Sequence, residues 1–117
     1  MHLTPKTIGF PFIDEVSEPL IRLTGVGVEV RNDKSYYFDN KNREIDSYLF
    51  QYTLDGSGIF ETNNNKIVVS PGHAFFTYIP SDTKYYCNPE DTHWEFIFVL
   101  FMGNHLRPYY DKICDVR

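Results

Sequence analysis

The chain has 117 residues, of which 42% are hydrophobic and 17% are aromatic. This length is enough for one domain, which can bury roughly 65% of the surface that its unfolded chain exposes, and the composition excludes a disordered segment. The net charge is −5, from 16 acidic and 11 basic residues, and Lys and Arg form no dense cluster, so these residues are not expected to bind a nucleic-acid backbone.

Neither export nor membrane insertion is indicated by the sequence. No apolar stretch reaches the roughly 18 residues of a membrane span, and no basic segment followed by an apolar run opens the chain. We therefore expect a cytoplasmic protein without a membrane partner. Cys87 and Cys114 belong to no Cys-x-x-Cys pair, and we interpret them as reduced thiols without a role in chemistry.

The first elements along the chain are an arm and a strand. Residues 1–19 contain scattered Pro and Gly and hold no period, which predicts an irregular N-terminal arm. Val26, Val28 and Val30 then alternate with glycines and charged residues. This period of two predicts a strand with one buried face, and the small glycines permit close packing on the other face. A short strand is predicted around the Tyr-Tyr-Phe centre of the polar segment that follows.

Strands and turns follow one another through the middle of the sequence. The segment YLFQYTLDGSGIFETNNNKIVVSPG contains a Gly-rich turn at 55–58, interpreted as a hairpin, and an Asn turn at 63–65. AFFTYI, KYYC and HWEFIFVLF are the next predicted strands. Strand signals at a spacing of about 8–12 residues predict an all-β sandwich or barrel.

The pattern of the last predicted strand indicates that another element packs on the outside of the barrel. Trp94, Phe96 and Phe98 share one face of this strand, and apolar residues also occupy its other face. The segment from residue 104 onward has helical spacing, with Pro108 at a first helical position. We expect this helix to pack on the strand, and we interpret the chain as the front portion of a longer protein.

Enzymatic chemistry finds little support in the sequence. His73 follows a Pro-Gly turn, and no His-x-His pair or spaced carboxylate completes a metal set with it, so we assign it to a turn. Ser57 is interpreted as part of a hairpin rather than as a nucleophile, because a strand and not a helix follows it. The paired carboxylates fall in predicted loops, where charge is solvated. No catalytic residue, metal ligand or cofactor is therefore predicted.

An interior rich in Tyr, Phe and Trp suits a small ligand that is held by stacking and hydrogen bonds, although the same rings can simply fill a core. From the residues themselves we add Gln51 and Trp94 as candidates for the wall of such a pocket. Gln51 lies out of phase with the aromatic face of its own predicted strand.

Three segments resemble a known family. YLFQYTLDGSGIFE, VVSPGHAFFTYIPSDTKYY and HWEFIFVLFMG are similar, in order and spacing, to the N-terminal regulatory domain of AraC-type bacterial transcription regulators. The resemblance implies a cupin fold, a double-stranded β-helix of jelly-roll type. It also implies an arm, dimerising helices and a DNA-binding domain with two helix-turn-helix units that this chain does not contain. The implied boundaries are 1–19 for the arm, 20–103 for the barrel and 104–117 for the start of a dimerisation helix.

The resemblance also implies positions that contact a sugar. They are Arg43, Tyr86, Phe96 and Phe98. The family's arabinose receptor has a polar ring where Phe96 stands and an indole where Phe98 stands, so arabinose itself is not predicted, whereas stacking on Phe98 is.

The function predicted from these observations is that of an effector-sensing, homodimeric domain that binds a small molecule, a carbohydrate above all, and does no chemistry. It would contact DNA only through the missing C-terminal domain. Two alternatives are left open: a small cupin enzyme, either an isomerase or a metal-dependent oxygenase, and a free-standing carbohydrate-binding jelly roll.

Overall fold

The computed structural model describes residues 6–9, 21–44 and 46–115, and its elements are almost all antiparallel strands. The strands are β1 Lys6–Gly9, β2 Arg22–Arg31, β3 Tyr37–Asp39, β4 Ser47–Gly56, β5 Gly58–Thr62, β6 Asn65–Val69, β7 Ala74–Ile79, β8 Lys84–Cys87 and β9 Trp94–Met102. A 3-10 helix, Asn40–Asn42, follows β3, and helix α1, Arg107–Asp115, follows β9. No helix within these ranges is both long and apolar enough to cross a membrane.

The strands form two sheets that enclose the core between them. One sheet has the order β1-β2-β9-β4-β7, and the other has the order β3-β8-β5-β6. Inward side chains of both sheets make one hydrophobic cluster, to which β9, β4 and β7 contribute from the first sheet and β5 and β8 from the second. The predicted all-β jelly-roll architecture is confirmed, and so is a helix after the last strand.

Strand β2 turns its glycines inward and its valines outward. Gly25 and Gly27 are buried and stand across from Leu100 and Phe98, whose side chains pack on the core, whereas Val30 is 42% exposed. The predicted strand is present, but its buried face is that of the glycines. The reason is the register with β9, which places the residues without side chains opposite the large inward side chains of Leu100 and Phe98.

The segment 55–58 is not the predicted hairpin. Strand β4 already pairs with β9 on one side and β7 on the other, so β5 finds its partners, β6 and β8, in the second sheet. Only Ser57 separates the two strands. Gly56 has φ +69°, and a Cβ there would stand 2.0 Å from the His93 carbonyl oxygen, so glycine is required at this corner. The Asn turn, by contrast, does close a hairpin between β5 and β6.

The predicted arm contains a short strand. Lys6–Gly9 pairs antiparallel with β2, Thr7 standing across from Gly27, and forms one edge of the first sheet. Four residues are too few to show a period, which is why the sequence predicted only an irregular segment. The rest of the arm lies outside the described residues, and the domain boundaries stay predictions.

Helix α1 covers the outer face of the first sheet. The Tyr110 ring lies 5.0 Å from that of Phe76 and 5.4 Å from that of Tyr48, and its hydroxyl accepts a hydrogen bond of 3.2 Å from the Tyr78 backbone nitrogen. Phe101 of β9 stacks on Tyr48 at 5.5 Å. The expectation that a C-terminal helix packs outside the last strand is therefore confirmed, although the helix begins at Arg107, one residue before Pro108.

Candidate functional site

The middle of the barrel is filled by aromatic rings. Phe60 stacks on Phe75 at 4.5 Å, and Phe96 lies 4.9 Å from Trp94. Tyr36 meets the Trp94 ring edge-on at 6.0 Å. These rings come from both sheets, so their contacts hold the two layers together, and each pair contributes about 0.5–1.5 kcal/mol beyond the area that it buries.

One end of the barrel is closed by Trp94. Its indole is fully buried, and Nε1 donates a 2.8 Å hydrogen bond to Thr53 Oγ1, which in turn donates to the Val69 carbonyl at 3.0 Å. A Cβ on Gly58 would stand only 2.4 Å from three atoms of the indole. Of the predicted pocket residues, Trp94 is therefore seated in the closed end with its polar atom satisfied. We call this region, built on Thr53, Gly58 and Trp94, the closed end.

At the other end the same face of β9 becomes accessible. Phe98 and Leu100 are only partly buried, and opposite them β2 presents glycines instead of side chains. A Cβ added to Gly25 would lie 3.6 Å from Phe98 Cε2, an ordinary contact, so there is room for a methyl group. We call this region, built on Gly25, Gly27, Phe98 and Leu100, the open end. Its wall is backbone on one side and a ring on the other, a surface suited to a flat ligand.

Gln51 stands between the two ends on the inner face of β4. It is 1% exposed and lies across from Phe75 on one side and Phe98 on the other. Its Nε2 meets no acceptor at hydrogen-bonding geometry among the described residues, although the amide lies close enough to the Tyr36 hydroxyl to lower the pKa of that tyrosine. Leaving a buried amide donor without an acceptor costs about 1–3 kcal/mol. Such an orphaned donor, beside an accessible ring, is the feature expected of a site that receives an oxygen atom from a ligand.

A carboxylate and two tyrosines complete the polar lining, and sequence reasoning missed all three. Glu29 lies on the inner face of β2 across from Phe96, and Arg31 Nη2 binds its Oε1 at 2.8 Å. Burial raises the pKa of Tyr36 and of Tyr85. Arg43 opposes part of the rise at Tyr85, and the Glu29 carboxylate adds a smaller increase to both. Both hydroxyls therefore stay protonated and can donate hydrogen bonds. The sequence carried a signal for Glu29, because Glu29 alternates in step with Gly25 and Gly27 and so lies on the same face of the strand as the glycines.

Arg43 reaches the interior through Tyr85. Its Nη1 donates to Tyr85 Oη at 2.9 Å and to Asn40 Oδ1 at 3.3 Å, and its guanidinium lies 5.0 Å from the centre of the Phe38 ring. Arg43 is half-buried. The structure thus places it beside the inward hydroxyl of Tyr85, with the remaining guanidinium nitrogens available to a ligand or to water.

Tyr86 is the one predicted site residue that the structure sets apart. It lies across from Ile59, its ring stacks on that of Tyr37 at 5.3 Å, and its hydroxyl donates to Glu61 on the outer face of the second sheet. Its neighbour Tyr85 points inward instead. Because side chains alternate along a strand, a shift of one residue moves a side chain from the interior to the outside. The structure brings three of the predicted site residues together inside the barrel, namely Gln51, Phe96 and Phe98. Arg43 and Trp94 lie at the margins of this group, and Tyr86 lies outside it.

His73 and Ser57 take part in turns, as predicted for His73. The His73 carbonyl accepts from the Thr53 nitrogen at 2.9 Å, and its exposed ring contacts Ser70 Oγ at 3.2 Å. Ser57 Oγ donates to Asp91 Oδ2 at 2.7 Å and accepts from Asn88 Nδ2 at 3.0 Å, so it ties the corner after β4 to the loop before β9. Within the described ranges, no group of three His, Cys, Asp or Glu side chains is placed to hold a metal ion.

Comparison with known proteins gives one family. The family model described as the AraC-like ligand binding domain matches residues 26–113 of this chain. No curated protein sequence matches this chain.

Several solved structures share the fold. An HTH_3 family transcriptional regulator from Vibrio cholerae has a TM-score of 0.58 and 9% identity over 86% of this chain, which spans only 51% of that protein's chain. A cupin protein from Bacteroides fragilis has a TM-score of 0.57 and 10% identity, covering 92% of this chain and 86% of that one. A Cupin 2 conserved barrel domain protein from Salinispora arenicola has a TM-score of 0.55 and 8% identity, covering 93% and 84%. At such identities the likeness is one of fold, and it confirms the predicted cupin.

Proposed function

Since the chain belongs to the family of AraC-like ligand binding domains, we propose that it is the effector-sensing domain of a bacterial transcription regulator and that it binds a small molecule at the open end without transforming it. The observation that carries this proposal is the buried, unpartnered Nε2 of Gln51 beside the accessible ring of Phe98. A ligand oxygen at that point would satisfy the donor and remove its energetic penalty.

A carbohydrate fits this lining better than a purely apolar ligand. Phe98 offers a ring face for the apolar side of a sugar, and Gln51 and Arg43 offer N–H donors. Glu29 offers carboxylate oxygens that accept from sugar hydroxyls. A sugar hydroxyl both donates and accepts, so a mixed lining of this kind satisfies it from both sides.

The test is calorimetric titration of the chain with a panel of neutral mono- and disaccharides. Phe98→Ala is expected to weaken binding of the sugar that binds best by about tenfold or more, because a buried stacking contact is lost. Ile97→Ala is the matched control, since Ile97 is the next residue of β9 and faces outward. The absence of saturable heat from every sugar would remove the carbohydrate, and equal losses in both variants would remove the assigned site.

Control of an attached DNA-binding domain and dimerisation are part of the same proposal. Helix α1 leaves Tyr109 66% and Ile113 60% exposed, which is unfavourable for apolar side chains unless a partner covers them. The similar Vibrio cholerae protein is a transcriptional regulator about twice as long as the region matched. A ligand controls such an assembly only if its affinity differs between two states of the whole protein.

Dimerisation is tested by sedimentation of the chain over a wide concentration range. We expect a reversible dimer that Ile113→Asp abolishes, because a buried carboxylate would be unpaired at the interface. Lys112→Asp, at an exposed neighbouring position of α1, is the control for the added negative charge. A strict monomer at high concentration would contradict dimerisation through this helix.

A further inference from the structure

A cavity lies at the opposite end of the barrel from the proposed effector site. Its volume is about 330 Å³, and its walls are the loop between β2 and β3 and the loop between β8 and β9. This volume is at the lower limit for small-molecule pockets. Of the residues assigned to the effector site, the cavity shares only Tyr36.

The walls of this cavity are largely aromatic. The rings of Tyr36, Tyr37 and Tyr86 contribute to the lining, together with the ring of Pro89. Tyr37 and Tyr86 stack on each other at 5.3 Å with an interplanar angle of 23°, so each ring holds the other in place in the wall of the cavity. The negative face of an aromatic ring attracts cations.

The charge of the lining is negative. Asp33 and Asp91 supply two carboxylates, whereas Lys34 supplies one exposed ammonium group. His93 also belongs to the lining, but its Nε2 is already engaged with Asp55 at 2.7 Å. A hydrogen bond from Ser57 lowers the pKa of Asp91, which therefore stays ionised.

The carboxylate of Asp33 is held in place and still has a vacant oxygen. Its Oδ1 accepts from Ser35 Oγ at 2.9 Å and from the Tyr36 nitrogen at 3.2 Å, a local turn that orients the side chain. Its Oδ2 accepts from no residue in the described part of the chain. The other loop is equally constrained, because Ser57 binds both Asp91 and Asn88. The cavity is thus preformed, which reduces the entropy lost on binding.

We propose that this cavity is a second ligand site and that it binds a small organic cation, a primary ammonium group attached to a flat apolar body. The ammonium group is recognised by the vacant oxygen of Asp33 and by the outer faces of the stacked Tyr37 and Tyr86 rings, because the Tyr36 ring already carries the Arg31 guanidinium 5.1 Å from its centre. The flat body lies against the aromatic walls. An anion of the same shape is disfavoured by both carboxylates. Apart from Tyr36, this site uses none of the residues assigned to the sugar site.

The direct test compares three probes of one shape: 2-phenylethylamine, 2-phenylethanol and phenylacetate, titrated into the chain and followed by NMR chemical shifts. The amine is expected to bind about tenfold more tightly than the alcohol and to shift residues of the two loops, and the carboxylate is expected to bind most weakly. Equal affinities for amine and alcohol, tighter binding of phenylacetate, or no binding of the amine would overturn the proposal.

Asp33→Asn tests the recognising group. The amide keeps an oxygen for the Ser35 and Tyr36 donors but removes the charge, so the loop is preserved and amine affinity should fall about fivefold. Asp39→Asn is the matched control, because Asp39 caps the 3-10 helix through Lys41 at the far end of β3 and lies outside the cavity. An equal loss in both variants would show a general charge effect and overturn the assignment of Asp33.

Phe98→Ala separates this proposal from the proposed function. It removes the stacking surface of the open end, so sugar binding should fall while amine affinity stays within twofold. If the amine also lost its affinity, it would bind at the open end and the second site would be overturned. If no sugar bound but the amine titration and Asp33→Asn behaved as expected, only the proposed function would fail.

Discussion

The two ends of the barrel are built from the same strands but differ in how deeply their side chains are buried. On β9, Trp94 and Phe96 are 0% exposed, whereas Phe98 and Leu100, further along the same face, are partly accessible. At the closed end the indole N–H has an acceptor in Thr53, whereas the Gln51 amide, across from Phe98 of the open end, has none at hydrogen-bonding geometry. The difference indicates that the closed end supplies stability and that the open end forgoes some stability to keep donors available for a ligand.

The largest effect is expected from adding one methyl group at the closed end. Gly58→Ala places a Cβ 2.4 Å from the indole of Trp94, which is fully buried and cannot move aside. We therefore expect the free energy of unfolding to fall by about 3 kcal/mol or more. Gly25→Ala is the matched change at the open end, where the new Cβ meets Phe98 at 3.6 Å. Its loss should stay below about 1 kcal/mol. Urea unfolding measures both, and similar losses would contradict the comparison.

A smaller effect is expected from Thr53→Val, which keeps the shape of the side chain but removes its hydroxyl. Trp94 Nε1 and the Val69 carbonyl then lose their partner inside the closed end, and we expect a loss of about 2 kcal/mol in the free energy of unfolding. Thr24→Val is the control, because Thr24 makes a single 3.2 Å bond to the Leu100 carbonyl in a half-buried position. A control that is destabilised as much as Thr53→Val would show that the closed end is not special.

Gln51→Leu should separate stability from binding. The substitution replaces the unpartnered amide with an apolar group of similar size. The free energy of unfolding should therefore rise, or change by less than about 1 kcal/mol. Sugar affinity should nevertheless fall about tenfold, since the donor is lost. Chemical unfolding and calorimetry on the same variant give the two quantities. Destabilisation as large as that of Thr53→Val would mean that the Gln51 amide is satisfied in the free protein.

A separate effect concerns alkaline pH. Burial and then the hydrogen bond to Glu61 raise the pKa of Tyr86 to about 12 from the ordinary 10.0, and burial followed by a hydrogen bond to Cys114 raises that of Tyr110 to about 12. The unfolded chain releases these protons near pH 10 and the folded chain near pH 12. Their contribution to stability is therefore complete below pH 10 and is lost as the pH rises toward 12.

Glu61→Gln checks the origin of this pH dependence. Removing the carboxylate should lower the pKa of Tyr86, so tyrosinate absorbance should appear at lower pH in the folded variant than in the original chain. Glu90→Gln, an exposed change of the same kind in another loop, is the control. An unchanged titration in Glu61→Gln would show that Glu61 does not act on Tyr86.

Much of the fold could be predicted from the sequence because strands and turns are local. The alternation in β2, the Asn turn before β6 and the double-sided apolar pattern of β9 each depend on residues that are near one another along the chain. The strand β1 was missed because four residues show no period. The corner at Ser57 was misread as a hairpin because partner choice depends on strands far away in the sequence.

The candidate site was predicted less completely. Gln51 and Phe98 were identified from phase and from a family resemblance, and the structure brings both to the inner face. Glu29 and Tyr85 were missed, and Tyr86 was chosen instead of its neighbour. A strand that is apolar on both faces carries no sign of which face is inside, so the assignment of Tyr86 to the site stays a prediction from the resemblance.

The sequence by itself determined that this chain forms antiparallel strands with a covering helix, because alternation, turn residues and helical spacing act through local dihedral preferences and side-chain direction. Only the tertiary structure decided which face of each strand is inside. That choice depends on cross-strand register, and the register of β2 against β9 set glycines opposite rings and so opened one end of the barrel. The cavity at the opposite end has the same origin, since it is formed by two loops that meet only after the sheets have paired.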